Sequence, residues 1–170
     1  KKIAAYLQSH YEIQSRILLV YPQGLEFISS FLGCLYAGMI AVPAYPLQNV
    51  RQASRLHAIL DSCQPKLILA DQDIVESLEK IDSFSIIEKI ASETIFEQED
   101  INDSKVGLPI DKSLIAFLQY TSGSTGDPKG VMISHANLLH NLVTLKKAWG
   151  MDETRTIVSW LPFQHDLGLV

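Results

Sequence analysis

Four short, almost unbroken apolar runs constrain this chain more than any other feature: RILLVY at Arg16 to Tyr21, IAVP at Ile40 to Pro43, KLILA at Lys66 to Ala70 and LIAFLQ at Leu114 to Gln119. Each has strand length and is rich in Ile, Leu or Val. A strand that is apolar on both faces needs cover on both faces, which is the pattern of a parallel sheet wrapped by helices. Helical segments lie between the runs. Ile3 to His10 reads as the end of a helix. Gly24 to Ala37 (GLEFISSFLGCLYA) is apolar nearly all round and predicts a buried helix. Arg51 to Ser62 is amphipathic, with Leu56, Ile59 and Leu60 on one face, and Asp71 to Ile81 predicts a further helix. The fold class read from this alternation is α/β, a layered sheet with flanking helices.

After a short, ambiguous strand at Ile86 to Ile90, the chain turns acidic. Residues 61–111 carry four basic and thirteen acidic groups, against five and two in residues 1–60. The excess reads as a solvated face and a loop, and the stretch 93–112 as an acidic linker. The chain then divides into a first α/β unit at 1–92 and a second unit at 113–170. Without clustered Lys and Arg, a nucleic-acid footprint is not expected. Cys34 and Cys63 have neither disulfide nor metal spacing, which fits a reducing, cytoplasmic setting. Phe27 to Val42 is the longest apolar stretch, but it is short of the roughly 20 residues that cross a bilayer. The absence of an initial Met and the end inside the apolar pair Leu169-Val170 suggest a piece of a longer polypeptide.

The second unit opens with the strand at Leu114 to Gln119. The loop YTSGSTGDPKGV follows, then a strand at Gly130 to Ile133. A helix comes next, with Ser134 as N-cap, a stripe of Leu138, Leu142, Leu145 and Trp149, and Gly150 as its stop. Thr156 to Leu161 predicts another strand. Between Thr121 and Gly130 stand three glycines, four hydroxyl side chains, one proline and one lysine, and no large apolar group. A mobile linker is one reading of so small and polar a run. The interleaving favours another. Gly123 and Gly126 let successive N–H groups point the same way, a concavity suited to anions, while hydroxyls and the Lys129 ammonium are phosphate-holding groups. The loop is neither a P-loop nor a nucleophile elbow: Pro128 and Val131 fall where the first needs its second Gly, and Ser122 where the second needs Gly.

TSGSTGDPKG resembles the phosphate-binding signature of the adenylate-forming superfamily. The resemblance implies the large N-terminal domain of such an enzyme, with its C-terminal domain absent here. It also implies that Thr121, Ser122, Gly123, Ser124, Thr125 and Gly126 embrace the β- and γ-phosphates of ATP, assisted by Lys129. SWLPFQHDLGLV, at Ser159 to Val170, is similar to the WLPxxHDxGL signature of fatty acyl-AMP ligases, and YPQGLEFISSFLGCLYAGMIAVPAYP resembles their N-terminal segment. By chemistry alone, His165 and Asp166 are a polar pair between apolar residues, either a structural contact or an anchor at a pocket mouth. The resemblance places His165 near the carboxylate and the α-phosphate where acyl-adenylate forms, with Asp166 orienting it. Trp160, Phe163 and Leu167 are candidates for the acyl pocket or for ordinary core packing. The other histidines, His10, His57, His135 and His140, show no zinc spacing and are assigned no role.

The function implied is ATP-dependent activation of a fatty acid, followed by transfer to an acyl carrier protein. Mg²⁺ is implied by the chemistry, with its ligands outside these residues. An acyl-CoA synthetase and a non-catalytic nucleotide-binding module are the alternatives.

Overall fold

The computed structural model describes residues 1–47, 50–98, 101, 106, 111–121, 128–156 and 158–163, with the backbone alone at Val50 and Arg51. Its elements run α1 (Lys2–His10), β1 (Arg16–Val20), α2 (Leu25–Ala37), β2 (Ile40–Ala44), α3 (Val50–Cys63), β3 (Leu67–Ala70), α4 (Gln72–Glu79), β4 (Lys89–Ala91), α5 (Ser92–Glu97), β5 (Ile115–Thr121), β6 (Lys129–Ser134) and α6 (His135–Ala148). The strands form one sheet in the order β4-β3-β1-β2-β5-β6. The first five run parallel, and β6 closes the edge antiparallel to β5.

Strand alternation splits the core between two faces. Ile17, Leu19 and Leu69 point to a layer completed by α1, α2 and Ile95 of α5. Leu18, Val20 and Ile68 point to the other, where Leu56 and Ile59 of α3 and Leu78 of α4 cover them. Both faces of β1 are buried, as its unbroken apolar run requires. On the first face α1 and α2 approach closely at Gly33, where an added Cβ would lie 2.7 Å from Ile3 Cγ2. α2 ends because Gly38 takes φ 74°, the left-handed conformation glycine adopts freely. Gly38 N–H then donates to Leu35 O and Met39 N–H to Cys34 O, turning the chain directly into β2.

β5 joins the sheet beside β2, so strands on both sides of residues 93–112 share one sheet. Its entry is fixed by Gln14, whose side-chain Nε2 donates to Ile115 O and whose Oε1 accepts from Ile115 N, like a residue of a neighbouring strand. A register shift between Ile115 and Phe117 follows. Phe117 is fully buried, and its ring meets Phe31 edge-on at 5.5 Å.

Two expectations fail. The acidic stretch does not begin as a loop: α5 occupies Ser92–Glu97, with Ile95 fully buried while Glu93 and Glu97 stay in solvent. One buried isoleucine among charged residues gives too weak a period to be seen in sequence. No strand forms at 156 or 158–161, where Val158 and Trp160 are 89% and 87% exposed. A β-prone run becomes a strand only when another strand accepts its backbone hydrogen bonds, and none of the six does so. The ambiguous strand at Ile86 to Ile90 shortens to Lys89–Ala91, with Ile86 exposed. β2 runs one residue past its expected end, through Pro43 to Ala44; Pro43 lies beyond the single rung, Ala41↔Phe117, that β2 shares with β5. Among the described residues no helix is long and apolar enough to cross a membrane.

Candidate functional site

The loop singled out in the sequence leaves the carboxyl end of β5, the rim of an open α/β sheet where ligands gather. Its ends are defined by one rung of the β5–β6 hairpin, Thr121↔Lys129. Directly paired residues send their side chains to the same face. The first hydroxyl of the run and its only ammonium therefore share a face at the loop's base, and both residues are exposed. Ser122, Gly123, Ser124, Thr125 and Gly126 lie outside the described residues, as does Asp127.

The preceding rung anchors the loop. Tyr120 pairs with Gly130, and its ring is turned into the core with Leu56, Ile59 and Cys63 of α3. Its carbonyl accepts from Arg55 Nη2 at 3.0 Å and its hydroxyl donates to Ser62 Oγ at 2.8 Å. Burial pushes the phenol's pKa up, partly offset by the Ser62 bond, so the hydroxyl stays protonated and able to donate. Gly130 leaves room for the ring: an added Cβ would stand 2.9 Å from Tyr120 Cζ. None of this support was visible in the sequence. Arg55 and Ser62 read as positions on an amphipathic helix, and each is more than fifty residues from the tyrosine they hold.

His165, Asp166 and Leu167 lie outside the described residues, but the segment leading to them is placed. Gln23 Nε2, just past the carboxyl end of β1, donates to Leu161 O at 3.3 Å. Phe163 stacks on Phe27 with centroids 6.4 Å apart, and Phe27 in turn stacks on Phe31, which meets Phe117 of β5. A row of four aromatic rings thus connects the SWLPF segment to the strand that carries the loop. Phe163 packs against the core, whereas Trp160 is exposed among the described residues.

Three of the unassigned histidines have structural surroundings. His10 stacks on Tyr6 with centroids 4.1 Å apart, and His57 bonds Ala53 O and Ser83 Oγ. His135 opens α6 at the opposite end of β5 from the loop; burial lowers its pKa and favours the neutral ring. Between the ends of β1 and β3, Asp71 is surrounded by Glu93, Glu26 and Asp73. Burial first, and then these charges, push its carboxyl up to about 6. Among the described residues no three His, Cys, Asp or Glu side chains come together to hold a metal ion.

The comparisons with known proteins agree with this geometry. The chain is 40% identical, over its whole length, to the medium-chain-fatty-acid–[acyl-carrier-protein] ligase JamA of Moorena producens, of which it covers 30%. It is 36% identical, again over its whole length, to the long-chain-fatty-acid–AMP ligase FadD32 of Mycolicibacterium smegmatis, of which it covers 28%. The crystal structure of the fatty acyl-adenylate ligase from L. pneumophila, in complex with acyl adenylate and pyrophosphate, superposes with a TM-score of 0.87 at 41% identity, over 99% of this chain and 29% of that one. The chain therefore spans about three-tenths of the length of these relatives. The pattern of the AMP-binding enzyme family matches residues 1–170, and the chain belongs to that family.

Proposed function

We propose that the protein carrying this chain is a fatty acyl-AMP ligase. A fatty acid carboxylate oxygen attacks the α-phosphorus of ATP, the bond to the β-phosphate oxygen breaks, and pyrophosphate leaves. The thiol of an acyl carrier protein then attacks the acyl carbonyl and displaces AMP. The observation that carries this reading is the Thr121↔Lys129 rung, which sets a hydroxyl and an ammonium on one face at the base of a Gly/Ser/Thr loop. The names of the relatives supply the substrate class.

In this reading Thr121, Ser122, Ser124 and Thr125, together with the backbone amides around Gly123 and Gly126, hold the β- and γ-phosphates. Lys129 offsets the charge that grows on them as pyrophosphate separates. Catalysis of this kind is positioning plus electrostatic stabilisation. His165 donates a hydrogen bond at the forming acyl phosphate, and Asp166 orients its ring. The described residues offer no fit for Mg²⁺, so no step of this chain is assigned to a metal. The buried free thiols Cys34 and Cys63 support a reducing compartment, and we place the enzyme in the cytoplasm.

The test is fatty-acid-dependent exchange of labelled pyrophosphate into ATP by the full-length protein, followed by acyl transfer to a carrier protein and, separately, to coenzyme A. Exchange with preferred transfer to the carrier protein is expected. Lys129→Ala should raise the KM for ATP about tenfold, the equivalent of one charge-assisted contact of ~1.4 kcal/mol, and leave the KM for fatty acid within twofold. Absence of exchange overturns the adenylation reading, and efficient acyl-CoA formation overturns the choice of acceptor.

A further inference from the structure

From the core side, α3 holds the stem of the loop at Tyr120. We propose that Arg55 and Ser62 are positioning residues for the phosphate loop, acting through Tyr120. The proposal rests on the reading of that loop as the ATP phosphate grip.

Tyr120 is the last buried residue of β5, and Thr121, the first residue assigned to the phosphates, follows it. On its other side β5 lies along β2. The two strands share one paired rung, Ala41↔Phe117, and Pro43 of β2 brings no N–H. A strand carbonyl that faces away from its ladder partner needs another donor. Arg55 supplies it at 3.0 Å, from a half-buried guanidinium whose planar fork fixes direction as well as distance. Ser62, two turns further along the same helix, holds the other end of the tyrosine through its hydroxyl. α3 thus grips Tyr120 at its main chain and at the tip of its ring, while Gly130 gives the ring its seat on β6.

The cavity among Pro43, Ala44, Arg55, Leu56 and Tyr120 has a volume of about 30 Å³, room for about one water molecule. Catalysis by positioning needs its groups held to sub-ångström tolerance, and a stem fixed by a hairpin on one side and a helix on the other is the kind of base such a loop requires.

The experiment uses the full-length enzyme and compares Arg55→Gln, Arg55→Lys and Tyr120→Phe with Lys129→Ala in the pyrophosphate-exchange assay. Hydrogen–deuterium exchange of the segment 118–131 is measured in parallel. For Arg55→Gln we expect a KM for ATP raised about five- to tenfold, a fatty-acid KM within twofold of the parent, and faster amide exchange confined to the loop stem. Arg55→Lys, which keeps a donor but loses the fork, should recover part of the effect. Tyr120→Phe, which keeps the ring and loses only the Ser62 bond, should show about a two- to threefold rise. If Lys129→Ala raises the KM for ATP and the Arg55 and Tyr120 variants do not, the positioning role is overturned and the phosphate reading stands. If none of them changes it, both fall. Equal losses for ATP and fatty acid, or amide exchange accelerated throughout α1 and α2, would assign Arg55 to general stability and overturn the proposal. Should Arg55→Gln fail to fold, Arg55→Lys and Tyr120→Phe decide on the same criteria.

Discussion

Replacing Gly130 by alanine asks how tightly the base of the loop is packed. Gly130 has no left-handed φ to defend, so an alanine backbone fits there without strain. The obstacle is space. The new methyl would sit 2.9 Å from Cζ, 3.1 Å from Oη and 3.2 Å from Cε2 of Tyr120. These atoms belong to a rigid ring that is 6% exposed and held at its tip by Ser62. The ring cannot yield by turning one terminal bond; it must swing away or push β6 outward. Overpacking of this kind costs about 1–3 kcal/mol, and loss of the Ser62 bond adds about 0.5–1.5 kcal/mol. Replacing a strand glycine by alanine returns about 0.5–1 kcal/mol. The expected net loss is about 1–3 kcal/mol, or a fall of roughly 2–10 °C in the melting temperature of the domain. Thermal unfolding of the full-length protein followed by circular dichroism measures it. The same substitution in a Tyr120→Leu background should be neutral or slightly stabilising, because the obstructing ring is gone. A Gly130→Ala protein as stable as the parent, or an equal loss in both backgrounds, would falsify the packing argument.

Two further substitutions or treatments test other parts of the fold. Asp71 binds its proton more tightly folded than unfolded, so its contribution to stability is most favourable below pH 4 and declines as pH rises towards about 6. The Asp71 side chain makes no capping bond to α4, so Asp71→Asn removes the charge without losing a cap and should stabilise the protein at pH 7.5, with the gain absent near pH 4. Oδ1 is buried without a partner but the residue as a whole is only half-buried, so solvent screening should hold the gain to about 1 kcal/mol, and urea unfolding at the two pH values would contradict this if it grew towards acid. Cys34 and Cys63 are both buried, and burial raises both thiols, Cys63 to about 12. Neither should react with a thiol reagent at pH 8 before the protein unfolds; rapid native labelling of either, read by peptide mass spectrometry, would refute that burial.

What the sequence revealed was the part written in local pattern. RILLVY and KLILA announced two-sided burial, and both became inner strands of the sheet. Ser134 was visible as an N-cap, and the structure adds the reciprocal bond, in which Ser134 N–H donates to Asn137 Oδ1. The sequence could not show that β5 would lie beside β2 instead of β4, because strand order depends on crossovers rather than on composition. It overstated the α6 stripe: Leu138 and Leu145 are half-buried, whereas Leu142 and Trp149 lie open to solvent. Helical spacing tells which residues share a face, not whether anything covers it. At the candidate site, the loop could be read from its own residue types, whereas its supports could not. Arg55 looked like any charge on an amphipathic helix until the fold placed it against Tyr120.

The pairing of Ala41 with Phe117 also sets an order of assembly. The strand that carries the loop must reach back across β1, β3 and β4 to find its neighbour, closing a long loop of chain before any contact rewards the entropy spent. On the ribosome, the segment from Lys1 to Ala44 emerges well before β5 and can wait as a template, while the hairpin of β5 and β6 docks late. A slow or mispaired β2 would then reach the loop after Thr121 without touching one of its residues, and under the proposed function defects in the first forty positions of this chain would register as poor use of ATP.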